Sequence, residues 1–329
     1  MKNKISIFLT FIISLLLTSC NQNSNKITIA EVTRSIFYAP MYVAINEGYF
    51  EEEGLDVSII TTPGSDKTMA ALLSKEAQIA LMGPETTLYV YNNGQKDYAI
   101  NFAQLTQKDG SFLVSRKYYE YGKFDFDDLI GASIIGGRKG GMPEMILEYV
   151  LKQKGYEVSN SDENAQIYIR TDVTFDVMAG AFASGDDDFV TLFEPSATEM
   201  ENIKEGYIVE SIGTHCGNIP YTCFASLKSY LNSNENNIIK FTNAMKKAVK
   251  FVHENDSLTI ANIIQDSFPS TSIDTIVKVL DRYKSIDTWS KDMILDLQGY
   301  EKLLDVLETA NELSNRVDYE TLVTTKYVK

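Results

Sequence analysis

Leu55-Asp56-Val57-Ser58-Ile59-Ile60, then Asp66 to Lys75, then Ile79-Ala80-Leu81-Met82 is the stretch that decides the fold class. The first segment alternates apolar and polar residues at period two, as a strand with one covered face does. The second carries Met69, Leu72 and Leu73 at helical spacing, and the third is a short apolar run of a buried strand. Upstream, Ile27-Thr28-Ile29-Ala30 reads as another strand, and Pro40 opens a helix that Gly48 and Gly54 help to close. Downstream, Gly83-Pro84-Glu85 leads into a helix carrying Leu88, Tyr89 and Tyr91. A βαβαβ alternation of this kind predicts a mostly parallel sheet with helices on both faces.

The unit starts again further on. Ala132 to Ile135 reads as a strand, 136–141 as a glycine-rich loop, and Pro143 to Lys154 as a helix. Gln166 to Ile169, Val173 to Phe182 and Phe189 to Phe193 then give strand, helix and strand, with a further helix from Pro195. Two crossing segments, Phe112 to Ser115 and Tyr221 to Ala225, join the units. The remainder is nearly all helical, over 236–253, 257–265, 273–284 and 298–313, and needs a sheet to pack on. Returning it to the first unit predicts one lobe from 26–114 plus 222–329 and a second from 115–221.

The N-terminus reads as an export signal. Lys2 and Lys4 precede an apolar run from Ile5 to Leu17, which is too short to span a bilayer comfortably. The run ends in Leu17-Thr18-Ser19-Cys20, which resembles the bacterial lipobox. That resemblance implies removal of residues 1–19, acylation of Cys20, and a lipidated tether over 20–25. An uncleaved signal anchor with an incidental cysteine is the alternative. Without Lys2 and Lys4 the formal charge of −15 becomes −17, and no basic cluster interrupts it, so a nucleic-acid partner is disfavoured. Beyond Cys20, Cys216 and Cys223 are either free thiols or one local disulfide. With His215 and His253 as the only histidines, no metal, cofactor or catalytic constellation is expected.

Ile36 to Ala44, together with Glu47-Gly48-Tyr49-Phe50-Glu51-Glu52-Glu53-Gly54-Leu55-Asp56-Val57, resembles the solute-binding proteins of ABC importers for nitrate, sulfonates, taurine and thiamine pyrimidine precursors. Segments 74–83 and 136–151 agree with it. The resemblance covers essentially the whole mature chain. It implies a two-lobed type II periplasmic-binding fold that closes on a small molecule and delivers it to a permease and its ATPase. It further implies a monomer held by its lipid at the outer face of a bacterial cell membrane.

In open α/β sheets the ligand sits beyond the carboxyl ends of the strands. Gly83-Pro84-Glu85, Gly141-Met142-Pro143-Glu144 and Phe193-Glu194-Pro195-Ser196 each place a proline where a strand gives way to a helix, converging backbone donors on a cleft. The 136–141 loop is the anion candidate, with Gly137 and Gly140 forming a backbone nest beside Arg138 and Lys139; a loop whose cations meet only water is the alternative. Glu85 and Glu194 at strand ends suit a ring with N–H donors, and Tyr38 and Tyr221, with Phe37, Tyr89 and Tyr91, suit its faces. The expected ligand is therefore a nitrogen heterocycle such as a thiamine pyrimidine precursor, with a sulfonate, taurine or nitrate-type anion as the alternative. A pyrimidine-synthase-like enzyme and a surface receptor or adhesin are the rivals from other classes. Trp289 is either a pin between tail helices or a cover for the cleft mouth.

Overall fold

The computed structural model describes residues 25–120 and 123–329. The export signal, Cys20 and tether residues 21–24 lie outside the described residues. Asn25, the expected end of the tether, is already part of the fold: its side chain donates to Gly54 O at 3.1 Å. No described helix is long and apolar enough to cross a membrane.

The first sheet begins with β1 (Lys26–Glu31) and β2 (Asp56–Thr61), paired in parallel with Ile29 opposite Ile59. β3 (Ile79–Met82) pairs in parallel on the other side of β1, and β4 (Ala99–Thr106) lies at the far edge. Between β1 and β2, helix Ala39–Asn46 carries Pro40 in its first turn, where the missing N–H costs nothing. Residues 39–44 of that helix are all buried, because the tail helices Glu235–Glu254 and Ser257–Ile264 cover it. Glu235–Glu254 buries Ile238, Phe241, Met245, Val249 and Val252, spaced three or four apart as one helical face requires. Phe241 stacks on Phe50 at 5.2 Å, so this tail helix packs on the first unit.

The chain leaves the first sheet through 107–111 and enters the second at β5 (Phe112–Ser115). β6 (Ser133–Ile135), β7 (Val158–Ser159), β8 (Ile167–Arg170), β9 (Phe189–Leu192) and β10 (Tyr207–Ser211) complete that sheet in the order β10-β5-β9-β6-β8-β7. Residues 217–221 lead back to β11 (Thr222–Leu227), which inserts between β3 and β4 to give β2-β1-β3-β11-β4. One strand in each sheet runs against the rest: β11 in the first and β5 in the second. Each is the strand that follows a crossing.

Several expectations shift. Phe112 to Val114 pair with β9 and β10, so they belong to the second sheet and the exit from the first lobe precedes residue 112 rather than following 114. The expected 173–182 helix is a 3-10 turn over Phe175–Val177 followed by Met178–Ser184. The last long helix, Leu297–Thr309, stops short of 313. The tail also does more than complete the first lobe. Lys152 of helix Met142–Gln153 donates to Thr309 O at 2.9 Å, so Leu297–Thr309 is tied to the second lobe.

Candidate ligand-binding cleft

The carboxyl ends of six strands converge on a cavity of about 710 Å³ between the sheets. From the first sheet come the segments after β1 (Val32 to Tyr38), β2 (Thr61 to Lys67) and β3 (Gly83 to Thr86). From the second come the segments after β6, β8 and β9, represented by Gly137, Phe175 and Phe193. Tyr221 and Thr222 arrive from the second crossing. This is where strand-end geometry puts a ligand in α/β sheets.

Glu85 is the most telling group in it. The residue is 2% exposed, and its Oε1 lies 3.4 Å from Thr86 Oγ1. Oε2 has no hydrogen-bond partner. Burial pushes this carboxyl up to about 8 and so favours its protonated form. Gly83 explains how the carboxylate fits: a Cβ at position 83 would stand 2.1 Å from Oε2 and 2.5 Å from Oε1. Gly83→Ala is therefore expected to keep the fold, since its backbone needs no positive φ, but to evict the carboxylate from its seat. Calorimetry should show ligand affinity reduced about tenfold or more with an almost unchanged thermal midpoint, one lost charged hydrogen bond being worth roughly that.

The aromatic lining spans both lobes. Phe37 meets Phe193 edge-on at 5.5 Å and Tyr221 at 5.7 Å, and Phe193 meets Phe175 at 5.3 Å. Tyr38 and Tyr221 are buried, and burial raises both phenols well above their ordinary value. The Tyr221 hydroxyl, like Glu85 Oε2, is buried without a partner.

The structure brings Tyr38, Gly83, Glu85, Gly137, Arg138, Gly140 and Tyr221 to this cavity. It does not bring Glu194. That side chain accepts from Thr198 N and Thr198 Oγ1, both at 2.9 Å, and is ion-paired with Arg282, so it serves the framework instead. Lys139 faces Glu312 at 3.8 Å in a neighbouring outer cleft.

The anion-nest expectation for the glycine loop is corrected as well. Gly140 N donates to Glu144 Oε2 at 3.2 Å, Gly141 N to Arg138 O at 3.1 Å and Gly136 N to Arg170 O at 3.0 Å. Half of the loop's donors are thereby used, and Arg138 is bound to Asp66 at 2.9 Å across the cleft. Trp289 pins the tail to the first lobe rather than one tail helix to another: it is buried, its Nε1 donates to Phe37 O at 2.9 Å, and it bridges to β4 at Thr106. Cys216 and Cys223 are free, buried thiols, and neither His215 nor His253 lines the cavity.

Asp66 and Phe193 also line the cavity, although the sequence marks them only as a helix start and as part of a strand-end corner. The Thr62-Pro63-Gly64-Ser65 turn after β2 carries the same strand-to-helix punctuation as the three proline corners.

Two lobes joined by two crossings, with a cavity where their strand ends face each other, constitute the periplasmic-binding-protein fold. The sequence model of the NMT1/THI5-like family matches residues 36–257, and the chain belongs to that family. The protein YtlA of Bacillus subtilis (strain 168), whose name designates it a binding protein, is 44% identical over 320 residues, covering 97% of this chain and 92% of its own length. Among solved structures, the alkanesulfonate-binding protein SsuA from Xanthomonas axonopodis pv. citri superposes with a TM-score of 0.72 at 14% identity, covering 91% of this chain and 98% of that one. The Candida albicans CA3427 gene product, described as having the generic periplasmic binding protein fold, gives 0.68 at 14% identity, over 91% and 96%.

Proposed function

We propose that this chain is the solute-binding component of an ABC-type importer, capturing a small organic molecule between its lobes and presenting it to a permease and ATPase. In this reading it acts as a monomer, lipid-anchored through Cys20 at the outer face of a bacterial cell membrane. Its ligand is a small nitrogen-bearing ring compound, of which a thiamine pyrimidine precursor is one kind. The observation that carries the ligand class is Glu85 Oε2, buried without a partner in an aromatic-lined cavity. An N–H or cationic group satisfies that oxygen and draws the carboxyl toward its ionised, acceptor form, whereas a sulfonate or nitrate brings no donor to it and opposes that ionisation. Of the cations among the lining residues, Arg138 is already engaged by Asp66 at 2.9 Å, and Lys67 lies 4.0 Å from the same carboxylate. With no histidine in the lining, binding rather than catalysis is the favoured activity.

Contacts across the cleft support closure on the ligand. Ser35 Oγ donates to Glu194 O at 3.2 Å and Tyr89 OH to Gly140 O at 3.0 Å, each from the first lobe to the second. A ligand drives such closure only through its greater affinity for the closed form. The test is mass spectrometry of compounds released by denaturing the untagged protein, followed by scattering with the compound restored. A nitrogen-bearing ring that shrinks the radius of gyration is the expected result. A released sulfonate would revive the anion reading, and an unchanged radius at saturation would remove the hinge between 107–111 and 217–221.

A further inference from the structure

The cleft holds more room than one ring needs. A dry cavity of roughly 150 Å³ accepts a benzene-sized molecule, and the inner chamber, at about 710 Å³, is several times larger. A bare pyrimidine would leave most of it to solvent. Beside it lies a second cleft of about 400 Å³, and Asp66, Tyr89, Arg138 and Gly140 line both. Those four residues are thus the boundary between an inner and an outer compartment.

That boundary is a weak one. Arg138 and Asp66 are each about half exposed, at 53% and 46% of their side-chain surface, and exposed ion pairs contribute little. The Tyr89 hydroxyl on Gly140 O is the other contact there. A substituent on a bound ring can therefore pass between the compartments without breaking anything costly.

The chemistry of the outer cleft differs from that of the inner one. Its charges cancel, with Arg138 on Asp66 and Lys139 near Glu312. Its uncharged polar groups are Asn92, Asn93 and Ser314. Asn92 spends its Nδ2 on Asn315 O at 3.0 Å, while Asn93 and Ser314 are exposed residues. A charge-balanced wall of amides and hydroxyls suits hydroxyl groups. A phosphate would need a cation that is not already matched by an acid.

We propose that the ligand is a two-part molecule of the nucleoside class, its flat nitrogenous ring beside Glu85 and its neutral, hydroxyl-bearing arm in the outer cleft on Asn93 and Ser314. This rests on the solute-binding reading above and adds a second subsite to it. The test is titration calorimetry of the lipid-free mature chain with cytosine, adenine and uracil, their nucleosides, the nucleoside 5′-monophosphates, and taurine.

At least one nucleoside should bind tenfold or more tightly than both its base and its monophosphate. In the Asn93→Leu/Ser314→Ala variant that advantage should fall to within threefold, with affinity for the base unchanged. If no nucleoside outbinds its base in any of the three pairs, the outer subsite is overturned, although bases that bind and are weakened by Glu85→Gln leave the ring reading standing. Binding of taurine with no binding of any ring compound overturns both readings.

Discussion

Arg282→Leu is expected to destabilise the protein by about 3–5 kcal/mol, the usual consequence of stripping one partner from a buried ion pair. The Glu194 side chain is fully buried, and Arg282 is 20% exposed. Arg282 also donates to Thr198 Oγ1 at 2.9 Å and to Glu201 Oε2 at 3.2 Å, with its guanidinium 5.5 Å from the Phe112 ring. It stands on helix Ile273–Ser285 and its acidic partners on or just before helix Ser196–Ile203, so the pair fastens the tail to the second lobe. Leucine fills part of the volume but leaves the buried carboxylate with only its two bonds to Thr198. Urea unfolding at neutral pH should show the loss as a lower midpoint, and the double variant with Glu194→Gln should regain part of it. A loss below about 1 kcal/mol would mean that water reaches Glu194 and that the pair is no stronger than a surface one.

Glu85→Gln is expected to act in opposite directions on stability and on binding. The folded carboxyl sits at about 8 because burial disfavours its charge, against an ordinary value of 4.5. Between those values the native state holds a proton that the unfolded chain has released. The corresponding stability is therefore fully present below about pH 4.5, drains away as pH rises, and is gone above about pH 8. Glutamine cannot ionise. The variant should match wild type near pH 4.5 and exceed it at pH 8.5 by on the order of 4 kcal/mol.

Asp109 and Glu144, both pushed up to about 7 by burial, titrate in both proteins, so the difference between the two isolates Glu85. Affinity should move the other way. A ligand N–H that turns Glu85 into an ionised acceptor gains a charge-assisted bond of roughly 1.5–3 kcal/mol, and its loss costs tenfold or more. Affinity within twofold of wild type would sink the nitrogen-ring reading.

The framework was legible because period-two segments such as 55–60 and short apolar runs such as 79–82 admit few alternatives. Pro84 and Pro143 marked their helix starts for an equally local reason. Glu194 was misread through the same geometry. Phe193 and Glu194 lie in the turn between β9 and helix Ser196–Ile203; Phe193 lines the cavity, while the Glu194 carboxylate is held by Thr198, four residues on. The partner that receives Glu194, Arg282, is 88 residues distant, and nothing local announces it. The glycine loop was misread for a shorter-range reason: Glu144, four residues after Gly140, folds back to accept its N–H. The β5 boundary escaped because a strand that follows a crossing reads the same whichever sheet receives it.

The insertion of β11 between β3 and β4 has a consequence for the order in which the protein is made. Residues 112–211 supply every strand of the second sheet in one continuous stretch, so that lobe can assemble as soon as it has been synthesised. The first sheet cannot. Until Thr222 to Leu227 arrive, β3 has no partner on one side and β4 has no strand partner at all. A growing chain therefore carries residues 26–106 as an unfinished sheet while the middle of the protein is being built. In the exported protein proposed above, the first sheet would be the last to close, since it waits for Thr222 to Leu227.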